Sequence, residues 1–246
     1  MSRPSDAFGH MVWDHFHGDT AVEVIERDDS YIDTTPGAEA YFAPFDVWPQ
    51  YKQDAMSLAR GRVLDVGCGA GRVCLHLQAQ DARVTDVVGI DVSPLAAETC
   101  RLRSVRDARV LSITQISRSL GVFDTIVMFG NNFGLVGNPK RARWLLRRLA
   151  GMTSPDARII AETLDPYATD NPDHTDYHAR NRLRGRMGGQ LRLRSRYKSH
   201  VGAWFDYLFV SRTELTEMLD GTGWHAARVM DDGGAGYIAI IEKVAT

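Results

Sequence analysis

Between Arg62 and Val73 the chain reads Arg-Val-Leu-Asp-Val-Gly-Cys-Gly-Ala-Gly-Arg-Val. A β-rich apolar run ends in an acid, glycines follow at alternate positions, and helix-compatible residues resume at Arg72. This is the pattern of a strand, a tight turn and a helix N-terminus. Gly67, Gly69 and Gly71 take side chains away where a ligand approaches the backbone, and they permit positive φ. The helix start points unpaired N–H groups and its positive end into the same space. Asp65 closes the strand at its carboxyl end, where open α/β sheets bind ligands. The stretch predicts an α/β chain with a ligand on this rim.

Dinucleotide folds place a third glycine one residue further on, in G-x-G-x-x-G, so that helix and strand pack closely. Position 72 is an arginine here. The pattern is instead D-x-G-x-G-x-G, and Asp86-Val87-Val88-Gly89-Ile90-Asp91-Val92-Ser93-Pro94 follows. That second stretch reads as a buried strand ending in an acid, with Ser93 as N-cap and Pro94 at the first helical position. In βαβ nucleotide sites an acid at the spacing of Asp91 accepts hydrogen bonds from ribose hydroxyls. Together these stretches resemble the first two motifs of class I S-adenosylmethionine (SAM) methyltransferases. The resemblance covers residues 60–164 and 211–243. It implies a Rossmann-like seven-stranded mixed sheet with helices on both faces. It also implies SAM as cofactor, S-adenosyl-L-homocysteine (SAH) as product, and a cofactor site built from Asp65, Gly67, Cys68, Gly69, Gly71, Asp91, Val92 and Ser93.

The third strand, Arg109 to Ile113, is followed by Thr114-Gln115, where the resembled family often has an Asp that contacts the adenine amino group. The Gln115 amide oxygen supplies a comparable acceptor, so Thr114 and Gln115 join the expected cofactor site. The fourth strand, Phe123 to Phe129, leads into Gly130-Asn131-Asn132-Phe133. This stretch lacks the two prolines of nucleic-acid amino-methyltransferases. Asn131 and Asn132 are candidates for the cofactor's amino-acid end or the acceptor, or else a plain turn.

At 246 residues the chain suits one α/β domain with an elaboration. Its net charge of -2 gives no global field for nucleic acid or acidic membranes. No apolar run approaches the ~18 residues of a membrane span, and the N-terminus lacks a signal-peptide pattern, so a cytoplasmic protein is expected. Cys68, Cys74 and Cys100 have no C-x-x-C spacing, and the histidines at 10, 15 and 17 fit no common zinc pattern. No metal is expected.

The expected division is one methyltransferase domain over 1–246, with 1–50 as N-terminal arm and lid, a core at 60–164 and 211–243, and 165–210 as an insertion near the acceptor site. Tyr41 to Trp48 reads either as a lid or as a segment pinned to the domain's side. Arg141 to Met152 is predicted as a helix with Trp144, Leu145, Leu146 and Leu149 inward. Ser154-Pro155-Asp156 reads as a turn before a fifth strand, Ala157 to Thr163. Residues 165–189 show no clear periodicity and read as a long loop, which is usually functional or disordered. The loop supplies Tyr167, His174 and His178 as candidate general bases. Leu191 to Tyr197 alternates strictly, so Arg192, Arg194 and Arg196 share one face of an added antiparallel hairpin with Ala203 to Val210. Ser211 to Glu214 is a capping box, and two closing strands flank Asp231 to Gly236.

The expected function is methyl transfer from SAM to a small-molecule acceptor. Two alternatives stand beside it: an RNA or protein methyltransferase using the basic hairpin, and a non-catalytic nucleotide binder or NAD-dependent protein. Nucleic acid is disfavoured as a partner, and the sequence leaves oligomeric state open.

Overall fold

The computed structural model describes residues 5–35, 37–80 and 82–244. The first four residues of the N-terminal arm, Pro36 within it, Asp81 and the last two residues lie outside the described residues. In chain order the elements are α1 (Ala7–Phe16), β1 (Val24–Arg27), β2 (Ile32–Thr34), α2 (Glu39–Phe42), α3 (Gln50–Met56), β3 (Gly61–Val66), α4 (Arg72–Gln78), β4 (Val84–Asp91), α5 (Pro94–Leu102) and β5 (Ala108–Val110). Then come β6 (Phe123–Met128), α6 (Pro139–Ala150), β7 (Thr153–Leu164), α7 (Pro172–Leu183), β8 (Gln190–Tyr197), β9 (His200–Val201), β10 (Phe205–Leu208), α8 (Arg212–Leu219), β11 (Trp224–Asp231) and β12 (Gly236–Lys243).

Seven strands form one mixed sheet in the order β11-β12-β7-β6-β3-β4-β5. From β5 to β7 the neighbours are parallel, and β12 runs antiparallel to both β7 and β11. The central strands carry near-continuous apolar runs, as strands covered on both faces do: Val63, Leu64 and Val66 in β3, and Val87, Val88 and Ile90 in β4, are buried. One apolar cluster packs around Leu64, Ile126 and Leu145 on one side, and another around Val63, Val127 and Leu77 on the other. This is the Rossmann-like, doubly covered sheet that the glycine motif implies. Chain order reverses at the β3–β6 pair, the switch point where such sheets hold ligands.

A second, antiparallel sheet lies outside this core, in the order β10-β8-β1-β2, with β9 on β8. The expected hairpin of β8 and β10 is present. Its other neighbour was not foreseen: β1, from the N-terminal arm, pairs with β8 in the register Val24↔Arg196 to Arg27↔Leu193.

Four local expectations are corrected. Residues 165–189 are not a loop, because α7 occupies their middle. Asn171 caps α7 by accepting from the Asp173 N–H at 2.9 Å, and Pro172 takes its first turn. Only Tyr177, His178 and Asn181 of α7 are buried, so no apolar stripe marks it in sequence. Trp144 does not point inward: it is 43% exposed and lies under the Arg148 guanidinium. Ser154 to Asp156 is not a turn but a register-shifted stretch within β7. The third strand, β5, stops at Val110, and Ile113–Gln115 is a 3-10 turn.

Candidate functional site

The loop from Gly67 to Gly71 is closed by contacts that only glycine allows. Gly67 has φ +73, and a Cβ there would lie 2.4 Å from Asn132 Nδ2. With no Cβ present, the Asn132 amide donates to the Val66 carbonyl at 3.0 Å and the Gly67 carbonyl at 2.8 Å. Gly71, at φ +81, packs against Val105 and Cys100. The Gly69 N–H donates to Asp91 Oδ2 at 3.0 Å, and the Ser93 N–H to Asp91 Oδ1 at 2.9 Å. Each carboxylate oxygen keeps a lone pair free. Asp65 is buried, and burial pushes its carboxyl up to about 7, although the Cys74 thiol donates to it at 3.2 Å. Burial likewise raises Asp91 above the ordinary carboxylate range.

These residues border a cavity of about 1250 Å3 that runs from the glycine loop to the second sheet. Asp65, Gly67, Cys68, Asp91, Val92 and Ser93 line one end, with Thr114, Asn131 and Asn132. Gly69, Gly71 and Gln115 do not line it. Gly69 and Gly71 shape the loop from behind, and the Gln115 amide accepts from the Ser112 N–H in its own capping box. Asn131 adopts a left-handed conformation, φ 62, and its carbonyl accepts from the Tyr207 hydroxyl at 2.5 Å.

The other end lies under the second sheet. Side chains alternate between the faces of a strand, so Ile25, Leu191, Leu193 and Ser195 face the cavity. Arg194 and Arg196 take the opposite face and pair with Glu26, whose carboxyl their hydrogen bonds pull down to about 2. Arg192 reaches the cavity rim but is paired with Asp206 at 3.0 Å.

Of the candidate bases, His174 and His178 line the cavity and Tyr167 does not. The Tyr167 hydroxyl donates to Glu214 at 2.5 Å. Burial, then the Arg182 charge, hold His178 below the ordinary histidine range. Tyr41 faces the cavity, whereas Trp48 is buried and donates to the Ala43 carbonyl at 3.0 Å. The two readings of the Tyr41 to Trp48 segment therefore divide it between them.

Sequence reasoning missed Glu23, the Lys52–Glu162 ion pair at 2.7 Å, Arg141 and Tyr207, all on the cavity wall. Glu23 and Ser195 meet across 172 residues, and no local pattern signals such a contact. Among the described residues no group of three or more His, Cys, Asp or Glu is arranged to hold a metal. Among the described residues no helix is long and apolar enough to cross a membrane.

Residues 63–156 match the family model described as a methyltransferase domain. The chain is 30% identical over 122 residues to a ubiquinone biosynthesis O-methyltransferase of Xanthomonas euvesicatoria, which covers 47% of this chain. The chain spans about half the length of that curated relative, 48%. Among solved structures, a SAM-dependent methyltransferase from Bacteroides fragilis, in complex with SAH, is similar over 99% of this chain and 97% of its own, with TM-score 0.81 and 25% identity. A methyltransferase from Streptomyces caelestis shares the fold over 82% of this chain and 99% of its own, with TM-score 0.59 and 13% identity.

Proposed function

We propose that the chain is a class I SAM-dependent methyltransferase, a reading supported by the methyltransferase-domain match over residues 63–156 and by the likeness to the Bacteroides fragilis enzyme, and that it transfers the SAM methyl group to a small organic acceptor held between the two sheets. One observation carries this reading: the cavity extends well beyond the glycine loop and ends under the inner face of the second sheet. Ligand pockets usually run to ~300–1,000 Å3, so about 1250 Å3 leaves room for an acceptor beside a cofactor.

The residues present fit SAM. A loop without Cβ atoms offers backbone to the ligand, and the Asp91 carboxylate keeps lone pairs for two ribose hydroxyls. In this reading Gly67, Asp91, Val92 and Ser93 hold the nucleoside, Thr114 borders the adenine, and Asn131 and Asn132 border the amino-acid end. Gly69, Gly71 and Gln115 support these residues from behind. When bound, SAM supplies an electrophilic methyl on a sulfonium. The protein then has to hold an acceptor in line with that methyl and keep water out. Positioning of this kind is worth ~7–11 kcal/mol in favourable cases. The apolar side chains of Ile25, Leu191 and Leu193 exclude water over the acceptor end.

Calorimetry with SAH and with NAD, paired with SAH release from SAM and a panel of small aromatic acceptors, tests the reading. SAH heat, no NAD heat and turnover without added polymer are expected. Turnover that requires RNA or a protein acceptor overturns the small-molecule reading.

A further inference from the structure

Glu23 is a buried acid on the wall of the cavity. It is 4% exposed, lies immediately before β1 and borders the cavity under the second sheet. Two neutral hydroxyls hold it. Tyr41 Oη donates to Oε2 at 2.8 Å, and Ser195 Oγ donates to Oε1 at 3.1 Å. Among the described residues no cation pairs with it. The neighbouring acids differ: Glu26 is paired with two arginines, Glu162 with Lys52 and Asp206 with Arg192.

A buried carboxylate without a cation is costly unless it is hydrogen-bonded or takes up a proton. The hydroxyls around Glu23 hold its charged form, and burial works against them. Tyr207 is buried and Tyr41 half-buried, and desolvation raises both phenols above their ordinary range, so both stay protonated and neither competes for a proton. Ser195 and Thr35 are neutral hydroxyls, and the Arg72 charge acts on Tyr41. Burial lifts Glu23 above the ordinary carboxylate range. A base poised nearer neutral pH is a better general base. His178, held below its ordinary range, is the poorer one.

Resting on the small-molecule reading, we propose that Glu23 accepts a proton from the methyl acceptor, which must therefore present a hydroxyl or amine with hydrogen on the nucleophilic atom. The O–H or N–H group hydrogen-bonds to the free lone pairs of the Glu23 carboxylate. As the heteroatom–methyl bond forms, the sulfonium–methyl bond breaks and its electron pair stays on sulfur. The acceptor's proton passes to Glu23, which releases it to water when the product leaves. Tyr41 and Ser195 position the carboxylate, and neither carries the proton.

The test uses the full chain and Glu23→Gln, which keeps an oxygen for the Tyr41 hydroxyl. Calorimetry with SAH should give affinities within about twofold, showing an intact cofactor end. SAH release is then followed with phenols and arylamines, which bear a proton, and with pyridines and thioethers, which do not. Turnover is expected only with the first group. Glu23→Gln should lower kcat by about 100-fold or more, change KM little, and remove the acid limb of the pH–rate profile. A variant that matches wild type on phenols or arylamines, or a protein that prefers pyridines or thioethers, overturns the proposal. Where no panel member turns over, 13C spectra of glutamate-labelled protein with SAH decide. The resonance missing from Glu23→Gln must titrate above the ordinary carboxylate range, and titration within that range overturns the proposal. RNA-dependent turnover sinks the small-molecule reading alone, because the Glu23 titration is read without any acceptor.

Discussion

The two sheets that enclose the cavity are built by different rules. In the seven-stranded sheet, β3 has β4 and β6 as parallel neighbours, the three are joined by crossover segments, and each presents its ligand-facing residues at or just past its own carboxyl end. In the second sheet β1 and β8 meet from opposite ends of the chain, and the residues facing the cavity are scattered along alternating positions. The first arrangement ties chemistry to short motifs. The second ties it to register, because a one-residue slip would turn Ile25, Leu193 and Ser195 outward and the arginines inward.

Asp65 gives the largest expected effect on the motif-built side. Its folded value of about 7 stands above the ordinary 3.8. A group raised in this way contributes stability that is fully present below pH 3.8 and lost as pH rises through 7. At 1.36 kcal/mol per unit the swing is on the order of 4 kcal/mol. Urea denaturation of the ligand-free protein from pH 4 to 8 should show wild type losing stability relative to Asp65→Asn across that window. Parallel curves would break the contrast, since Asp65 would then be solvated like an ordinary surface acid.

Gly71→Ala comes next. A left-handed φ costs a side chain ~1–2 kcal/mol, and the new Cβ would lie 2.6 Å from Val105 Cγ2. A loss of about 2–4 kcal/mol in denaturation is expected once overpacking is added. A fully stable variant would show that the glycine loop yields more readily than its contacts imply.

Asp91→Ala sharpens the comparison by joining a loss of binding to a loss of stability, because it also strips the Gly69 and Ser93 N–H groups of their acceptor. Loss of charged hydrogen bonds should weaken SAH by about 1.5–3 kcal/mol in calorimetry, with the fold retained. A variant that binds SAH as wild type does would remove Asp91 from the cofactor site.

What was legible in the sequence follows the same division. Strand β4, the Ser93 cap and α8 were readable because apolar runs and caps are local, and so was the cavity end bordered by Gly67 and Asp91. Helix α7 escaped because it buries only Tyr177, His178 and Asn181, too few for a periodic stripe. Its Asn171-Pro172 start was nonetheless a usable signal. Trp144 has helical spacing but packs beneath an arginine at the surface. Glu23 could not be singled out, since Ser195 is brought to it by the β1–β8 pairing and Tyr41 arrives on α2.

The smallest effect should come from the outer face of the second sheet. Arg192 and Arg196 are each more than two-fifths exposed, and they pair with Asp206 and Glu26. Exposed pairs contribute ~0.2–1 kcal/mol. The double variant Arg192→Ala/Arg196→Ala leaves the Arg194–Glu26 pair, with both bonds at 2.8 Å, to hold the register. Stability should fall by about 0.4–2 kcal/mol for the two pairs together, and SAH affinity and turnover should match wild type. A polymer bound on this face would behave otherwise, because neutralised phosphates make affinity fall steeply with salt. RNA binding by wild type with a steep salt slope, lost together with turnover in the double variant, would move the acceptor from the inner face of the sheet to the outer one. Equal turnover, with no salt-dependent RNA binding in either protein, keeps the arginines as partners of Glu26 and Asp206 and leaves the inner face as the acceptor's wall.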